Sequence, residues 1–381
     1  MKAPRREHRP RRKAVKQLVI PYVAAPRMAA ARPKVGAVSK RRDVAIYFGP
    51  AEDFYDSWPA PTCIVVDGPY GIKGFPGDPP THDRLADWYR PHIEAWSRRA
   101  TPQTTLWFWG TEVGWATVHG ALIEKGWEYR NCHVWNKGVG HIAGNANSQT
   151  LRKFPVVTEV CAQYVKPPRF SVEGRLVSMQ AWLRHEWMRS GLPMYLSNQA
   201  CGVKNAATRK YLTSCHLWYF PPVEAFERMS AYVNKRGLAA GRPYFSIDGK
   251  VPVSGKQWEK MRAKFYCTVG VTNIWNGPAL RGPERVKGEA GFLHTNQKPL
   301  RFIDLIVQTC TDEGDVVWEP FGGLCPGAVV SHRLRRRYVG AEILPDFYSA
   351  AAERLASYDA HDTIGTDANR PGTRLASSVT L

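Results

Sequence analysis

The 381-residue sequence predicts an α/β fold, a sheet with helices on both faces and one inserted region of mixed structure. Three observations predict it. Short apolar runs such as Ile64–Val66 and Val316–Trp318 have the length and continuity of strands buried on both faces. Stretches of helical spacing follow these runs, which is the rhythm of a βα protein. Between about residues 139 and 285 that rhythm stops.

Residues 1–42 carry fourteen Lys and Arg against the single acid Glu7 and show no periodicity. They read as a basic, disordered tail. Residues 43–140 form a first half. Val44–Phe48 is a strand closed by Gly49-Pro50, and Ile64–Val66 is a strand that runs into Asp67-Gly68-Pro69-Tyr70. Asp83–Arg99 places Leu85, Trp88, Ile93 and Trp96 on one helical face. Thr105–Trp109 is a strand, Val113–Lys125 a helix stopped by Gly126, and Tyr129–Asn136 a further strand. Residues 141–284 are the insert, with Pro pairs at 167–168 and 221–222 and many aromatic and basic residues. Residues 285–358 resume the alternation: a helix at Pro299–Cys310, a strand at Asp315–Trp318 and a helix at Gly327–Arg336. A strand at Tyr338–Glu342 and a helix at Asp346–Ser357 complete it. Residues 359–381 are a polar tail.

Apolar residues make up 44% of the chain, enough for a proper core. No run of eighteen apolar residues occurs and no apolar stretch follows the N-terminal charges, so neither a membrane span nor a secretory signal is expected. The eight cysteines are scattered without a CxxC pair. This spacing disfavours structural zinc and disulfides and suits a reducing cytoplasm. The net charge of +20, concentrated in the leader, suits an arm that neutralises phosphates, so a nucleic-acid partner is expected. A second basic cluster, Arg333 with Arg335, Arg336 and Arg337, reads either as part of that surface or as a solvated helix end.

Three segments carry more specific information. Ile64-Val65-Val66 ends in Asp67-Gly68-Pro69-Tyr70. Val316-Val317-Trp318 ends in Glu319-Pro320-Phe321-Gly322-Gly323, and His294-Thr295-Asn296-Gln297-Lys298-Pro299 precedes it. Together they resemble the amino-group DNA methyltransferases that use S-adenosylmethionine, in the permuted order in which the catalytic tetrapeptide precedes the cofactor loop. The matching parts are roughly residues 43–140 and 285–357. The resemblance implies a Rossmann-like methyltransferase sheet, circularly permuted, with residues 141–284 as the target-recognition region. Basic residues there such as Lys204, Arg209 and Lys210, interleaved with Trp182, Trp187 and Trp258, suit phosphate and base contacts.

By the same resemblance, Asp67 and the main-chain carbonyl of Gly68 accept the two hydrogens of an exocyclic amino group. Pro69 completes the turn, and Tyr70 stacks on the extruded base. Glu319, Phe321, Gly322 and Gly323 form the methionine-side loop. Glu342, twenty-three residues after Glu319, holds the ribose hydroxyls. Asn296, Lys298 and Pro299 lie beside the carboxylate of the cofactor. Trp135-Asn136-Lys137 is expected to line the base pocket, and Trp107 and Trp109 to pack in the core. No metal is implied, because the methyl donor is already activated as a sulfonium.

Three positions depart from the family pattern: Gly68 for Pro, Glu319 for Asp and Cys325 for Gly. Gly68 is expected to leave the turn less rigid while keeping its carbonyl. An Asp at the first position favours adenine N6 as the target. Cytosine N4 and a catalytically impaired DNA-binding protein of the same fold remain as alternatives. The expected partner is double-stranded DNA; the same charge would serve RNA. A homodimer and a separate cognate restriction nuclease are further partners the resemblance admits.

Overall fold

The computed structural model describes residues 33–72, 78–142, 152–280, 284–288, 291–294 and 296–361. Most of the basic leader and the polar tail from residue 362 lie outside the described residues. In chain order, β1 (Val38–Arg41) and β2 (Val44–Phe48) precede β3 (Cys63–Val66), α1 (Leu85–Arg99) and β4 (Thr105–Gly110). Next come α2 (Glu112–Glu124), β5 (Glu128–Asn136) and β6 (Thr158–Val165). A small hairpin, β7 (Phe170–Val172) and β8 (Arg175–Val177), leads to α3 (Met179–Arg189), α4 (Leu196–Cys201) and α5 (Ala206–Tyr211). After α6 (Val223–Arg236) and α7 (Gly255–Glu259) the chain returns through β9 (Ile274–Asn276) and the two-residue strands β10 (Lys287–Gly288) and β11 (Gly291–Phe292). It finishes with α8 (Leu300–Cys310), β12 (Val316–Glu319), α9 (Pro326–Arg333), β13 (Arg337–Glu342) and α10 (Pro345–His361).

Nine strands make one sheet in the order β1-β2-β13-β12-β3-β4-β6-β5-β9. Neighbours from β2 to β4 are parallel, whereas β1 and β6 run against their neighbours. The period of two along a strand divides each apolar run between two cores. Cys63 and Val65 of β3 pack with Phe302 and Ile306 of α8 and Ala328 of α9. Ile64 and Val66 pack on the other face with Tyr89, Ile93 and Trp96 of α1 and Leu122 of α2. Both faces of β3 are therefore dry, and each such Val or Ile contributes on the order of 1.5–3 kcal/mol. α2 starts where the Thr111 hydroxyl accepts the Gly114 N–H at 3.0 Å, and Gly126 (φ 81°) ends it.

β3 feeds α1 and then β4 on one side, while β12 feeds α9 and then β13 on the other. The two strands are parallel neighbours. A crevice is expected outside the carboxyl ends of strands whose connections part in this way.

The helices α3 to α7 have a core of their own. Trp182, Trp187, Phe226, Phe245 and Trp258 belong to a cluster that shares no residue with the two sheet cores. Trp258 is stacked between Phe220 (4.5 Å) and Phe226 (4.1 Å), and its indole N–H donates to the Pro221 carbonyl at 2.8 Å.

Four elements differ from the sequence expectations. Residues 38–41, read as tail, pair with β2 through a turn in which Arg42 takes a left-handed φ of 48°. β6 and β9 fall inside the expected insert but belong to the main sheet. β6 is hard to read because Glu159 and Gln163 interrupt its apolar pattern, and β9 is only three residues long. α9 ends at Arg333, not Arg336. The Arg336 guanidinium instead donates to the Thr311 hydroxyl (3.0 Å) and carbonyl (2.8 Å), and Arg333 pairs with Asp304. Among the described residues no helix is long and apolar enough to cross a membrane. The eight cysteines are unpaired.

Candidate active site

A cavity of about 450 Å³ opens at the carboxyl ends of β2, β3, β12 and β13. Its wall takes residues 49–52 after β2, 67–70 after β3, 319–324 at the end of β12 and 342–344 at the end of β13. Asn296 and Lys298, ahead of α8, close one side. The residues expected in the tetrapeptide and around the cofactor line this cavity, except Pro299, which stands at the start of α8.

Asp67 leaves the end of β3, and its carboxylate is held by two donors on one oxygen. The Tyr70 hydroxyl donates to Oδ1 at 2.9 Å, and the Lys298 ammonium pairs with the same atom at 2.8 Å. Lys298 also donates to the Tyr70 hydroxyl at 2.9 Å. Burial, then the Asp67 charge, push the Tyr70 phenol well above its usual range, so it remains a donor. Tyr89 of α1 donates to the Pro69 carbonyl at 3.0 Å, and the Tyr70 N–H to Asp78 Oδ2 at 3.3 Å. Burial lifts the Asp78 carboxyl to about 6.

Gly68 is a steric requirement. A Cβ there would lie 2.5 Å from Phe321 Cδ2 and 2.6 Å from the Tyr89 hydroxyl. The turn is bonded on both sides of Gly68, and the Phe321 ring occupies the space a side chain would need.

The Gly-rich loop is held from beneath. Glu319 is 1% exposed; its carboxylate accepts the Gly327 N–H (3.0 Å to Oε2) and the Tyr338 hydroxyl (2.7 Å). Burial raises this carboxyl to about 8. Gly323 takes a left-handed φ of 54°, and its N–H donates to Glu342 Oε2 at 2.6 Å. The Leu344 N–H donates to Glu342 Oε1 at 2.7 Å, and burial raises Glu342 to about 7. Cys325, where the family pattern has Gly, is also left-handed (φ 45°), and Pro326 then opens α9. The Phe321 ring turns toward α1 and lies 5.0 Å from His92, 5.4 Å from Trp88 and 5.9 Å from Tyr89. Burial lowers His92 to about 4, so the ring that shares a hydrogen bond with the Tyr55 hydroxyl (2.9 Å) is neutral near pH 7.

Lys298 lines the cavity and pairs with Asp67, the acid of the tetrapeptide. The placement expected of residues 135–137 is corrected by this geometry. Trp135 is 3% exposed, donates to the Gly277 carbonyl at 2.7 Å and is absent from the cavity wall. Neither Asn136 nor Lys137 reaches the wall, and Lys137 pairs with Glu159. Trp107 and Trp109 pack in the core, as the sequence suggests. Sequence reasoning passed over Glu159, Asp78 and His92, and read Trp88 only as part of an apolar helix face. The one signal for Glu159 was an acid within an otherwise apolar run; the others sit in no motif. Among the described residues no group of three or more His, Cys, Asp and Glu is placed to hold a metal ion.

Comparison with known proteins adds an independent finding. A family model for DNA methylases, N6_N4_Mtase, matches residues 62–353. The type II methyltransferase M2.DpnII of Streptococcus pneumoniae is 31% identical over 83 residues, 22% of this chain and 30% of its own length. M.HinfI of Haemophilus influenzae is 31% identical over 84 residues, 22% of this chain and 23% of its own. The chain thus spans less than a third of the length of either relative. Among solved structures, the M1.HpyAVI–SAM complex has a TM-score of 0.43 at 15% identity, covering 81% of this chain and 98% of that one. The cytosine-N4-specific PvuII DNA methyltransferase has a TM-score of 0.45 at 9% identity, covering 83% and 91%. The family match runs through both the Asp67 turn and the Glu319 loop, and the chain belongs to the DNA methylase family.

Proposed function

We propose that this protein is a site-specific DNA methyltransferase that moves a methyl group from S-adenosylmethionine to the N6 amino group of adenine. The observation that carries the reading is the single cavity shared by the Asp67 turn and the Glu319–Glu342 loop pair. Its volume, about 450 Å³, lies in the range of small-molecule sites. The donor set fits the cofactor as well. Glu342 offers a carboxylate for ribose hydroxyls, Gly322 and Gly323 allow close backbone approach, and Asp67 and Asp78 favour a cation near the turn.

When bound, S-adenosylmethionine supplies a methyl group activated on a sulfonium. The work left to the protein is at the attacking nitrogen, whose lone pair is delocalised into the base. Two acceptors for its hydrogens favour a localised pair. Asp67 is one, with Oδ1 already fixed by Tyr70 and Lys298 and Oδ2 left for the substrate. The Gly68 carbonyl is the other, since the neighbouring Pro69 carbonyl is taken by Tyr89. Holding the amino group between these acceptors converts an encounter into an oriented displacement. The unit built on α3 to α7, with Arg209, Lys210 and Lys256 on it, would meet phosphates and read the site. Asp67 at the head of the tetrapeptide supports adenine over cytosine.

The test is to incubate protein, S-adenosylmethionine and duplex DNA of varied sequence, then identify the nucleosides by mass spectrometry. N6-methyldeoxyadenosine is expected. N4-methyldeoxycytidine would move the target to cytosine. No modified base, together with no cofactor binding by calorimetry, would overturn the reading.

A further inference from the structure

Glu159 belongs to none of the motifs in the sequence, yet the fold brings it to the acid of the tetrapeptide. It is the second residue of β6, the strand lying between β4 and β5. Its Oε2 is 3.3 Å from the Lys298 ammonium, and its Oε1 pairs with Lys137. Lys298 in turn lies 2.8 Å from Asp67 Oδ1. The result is a row of alternating charge, Lys137–Glu159–Lys298–Asp67, drawn from four separate stretches of chain. Side-chain exposures of 10%, 13%, 2% and 21% along the row leave little water to screen it. Two cations and two anions balance, which makes burial tolerable where any one alone would be costly.

This balance bears on Asp67. Both donors to its carboxylate, Tyr70 and Lys298, fall on Oδ1, and no other described residue bonds to it. An ammonium facing Asp67 alone would be free to straddle both oxygens and compete with a substrate N–H. Glu159 gives the same ammonium a second carboxylate, with Oε2 at 3.3 Å. We propose that Glu159 is a positioning residue of the methyl-transfer site, anchoring Lys298 on Oδ1 of Asp67 so that Oδ2 stays open to the substrate amino group. The proposal rests on the methyltransferase reading above.

The groups facing Lys298 are Asp67 and Tyr70 from the turn, Glu159 and Cys161 from β6, and His294 ahead of α8, with Lys137 beyond Glu159. Trp109 and Tyr70 add ring faces at 5.4 and 5.2 Å. Burial alone would lower the Lys298 pKa, but the charges of Asp67 and then Glu159 hold it above the ordinary range. Removing the Glu159 charge therefore lowers it, and catalysis that needs the ammonium is lost at a lower pH.

The experiment compares full-length wild type, Glu159→Gln and Glu159→Asp on duplex DNA, with melting temperature and calorimetric cofactor affinity as controls. For Glu159→Gln, kcat falls about thirtyfold, in the range typical of residues that orient a ligand through another. Its cofactor affinity stays within about threefold and the alkaline limb of its kcat profile moves to lower pH. Glu159→Asp keeps the limb in place and recovers part of kcat; if the Gln variant does not fold, Glu159→Asp carries the test through a lowered kcat. Wild-type kcat with an unmoved limb in the variants overturns the inference. So does a loss that only follows melting temperature and cofactor affinity. An inactive wild type overturns the methyltransferase reading and this inference with it, whereas an active wild type indifferent to Glu159 overturns this inference alone.

Discussion

At residue 68 the chain departs from its family, and packing around that residue explains why. Phe321 from the Gly-rich loop and Tyr89 from α1 both lie against Gly68, and either would collide with a Cβ. Gly68→Pro, which restores the family residue, is accordingly expected to lower the methyl-transfer rate at least about tenfold by displacing the turn. Steady-state kinetics on wild type and variant check it; a rate at or above wild type contradicts the packing argument. Asp67, Gly322, Gly323 and Glu342 could be singled out in the sequence by the resemblance of the short segments that carry them, and the structure brings all four to one cavity wall. The reason for Gly68 was not legible there, since it lies in Phe321, 253 positions away. Lys298 was legible as a residue of interest but not as the partner of Asp67, for the same reason.

At the scale of elements, the junction of β12, α9 and β13 concentrates unusual chemistry. A buried carboxyl at Glu319 supports the first turn of α9 through Gly327 and is tied to β13 through Tyr338. Cys325 enters α9 in a left-handed conformation that costs a side-chain-bearing residue on the order of 1–2 kcal/mol. Glu319 titrates at about 8 in the folded protein against 4.5 ordinarily. The folded chain keeps a proton that the unfolded chain has released, so this group's contribution makes stability fall as pH rises from about 4.5 to 8. Glu319→Gln removes the titration while keeping an acceptor for the Gly327 N–H. Melting temperatures recorded from pH 5 to 8 should fall less steeply for the variant; equal slopes would contradict the assignment. Strands such as β3 and β12 were legible because both faces are apolar. β6 was not, because the fold places Glu159 against Lys137 and Lys298, and a polar residue in a buried strand looks from sequence like the end of one.

At the scale of the molecule, one sheet carries the cavity and a second core, built on α3 to α7, stands apart from it. Its distinct cluster implies that it can be damaged alone. Trp258→Ala removes a ring stacked on Phe220 and Phe226 and should destabilise that unit by about 3–5 kcal/mol. Cofactor affinity by calorimetry should be unchanged while duplex binding by fluorescence anisotropy is lost; retained duplex binding would exclude this unit as the DNA-reading part. The basic balance of +20 was plain from composition, but which basic residues pair internally was not, as Arg336 on Thr311 and Arg242 on the buried Glu186 (2.6 Å) illustrate. On the proposed function, Asp67 acts on the substrate amino group across the cavity from the Gly-rich loop. Single-turnover methyl transfer by Asp67→Ala, with bound cofactor verified, measures it most directly. A rate at least about 100-fold below wild type is expected, the scale of losing a transition-state acceptor. A rate within about threefold of wild type would contradict it.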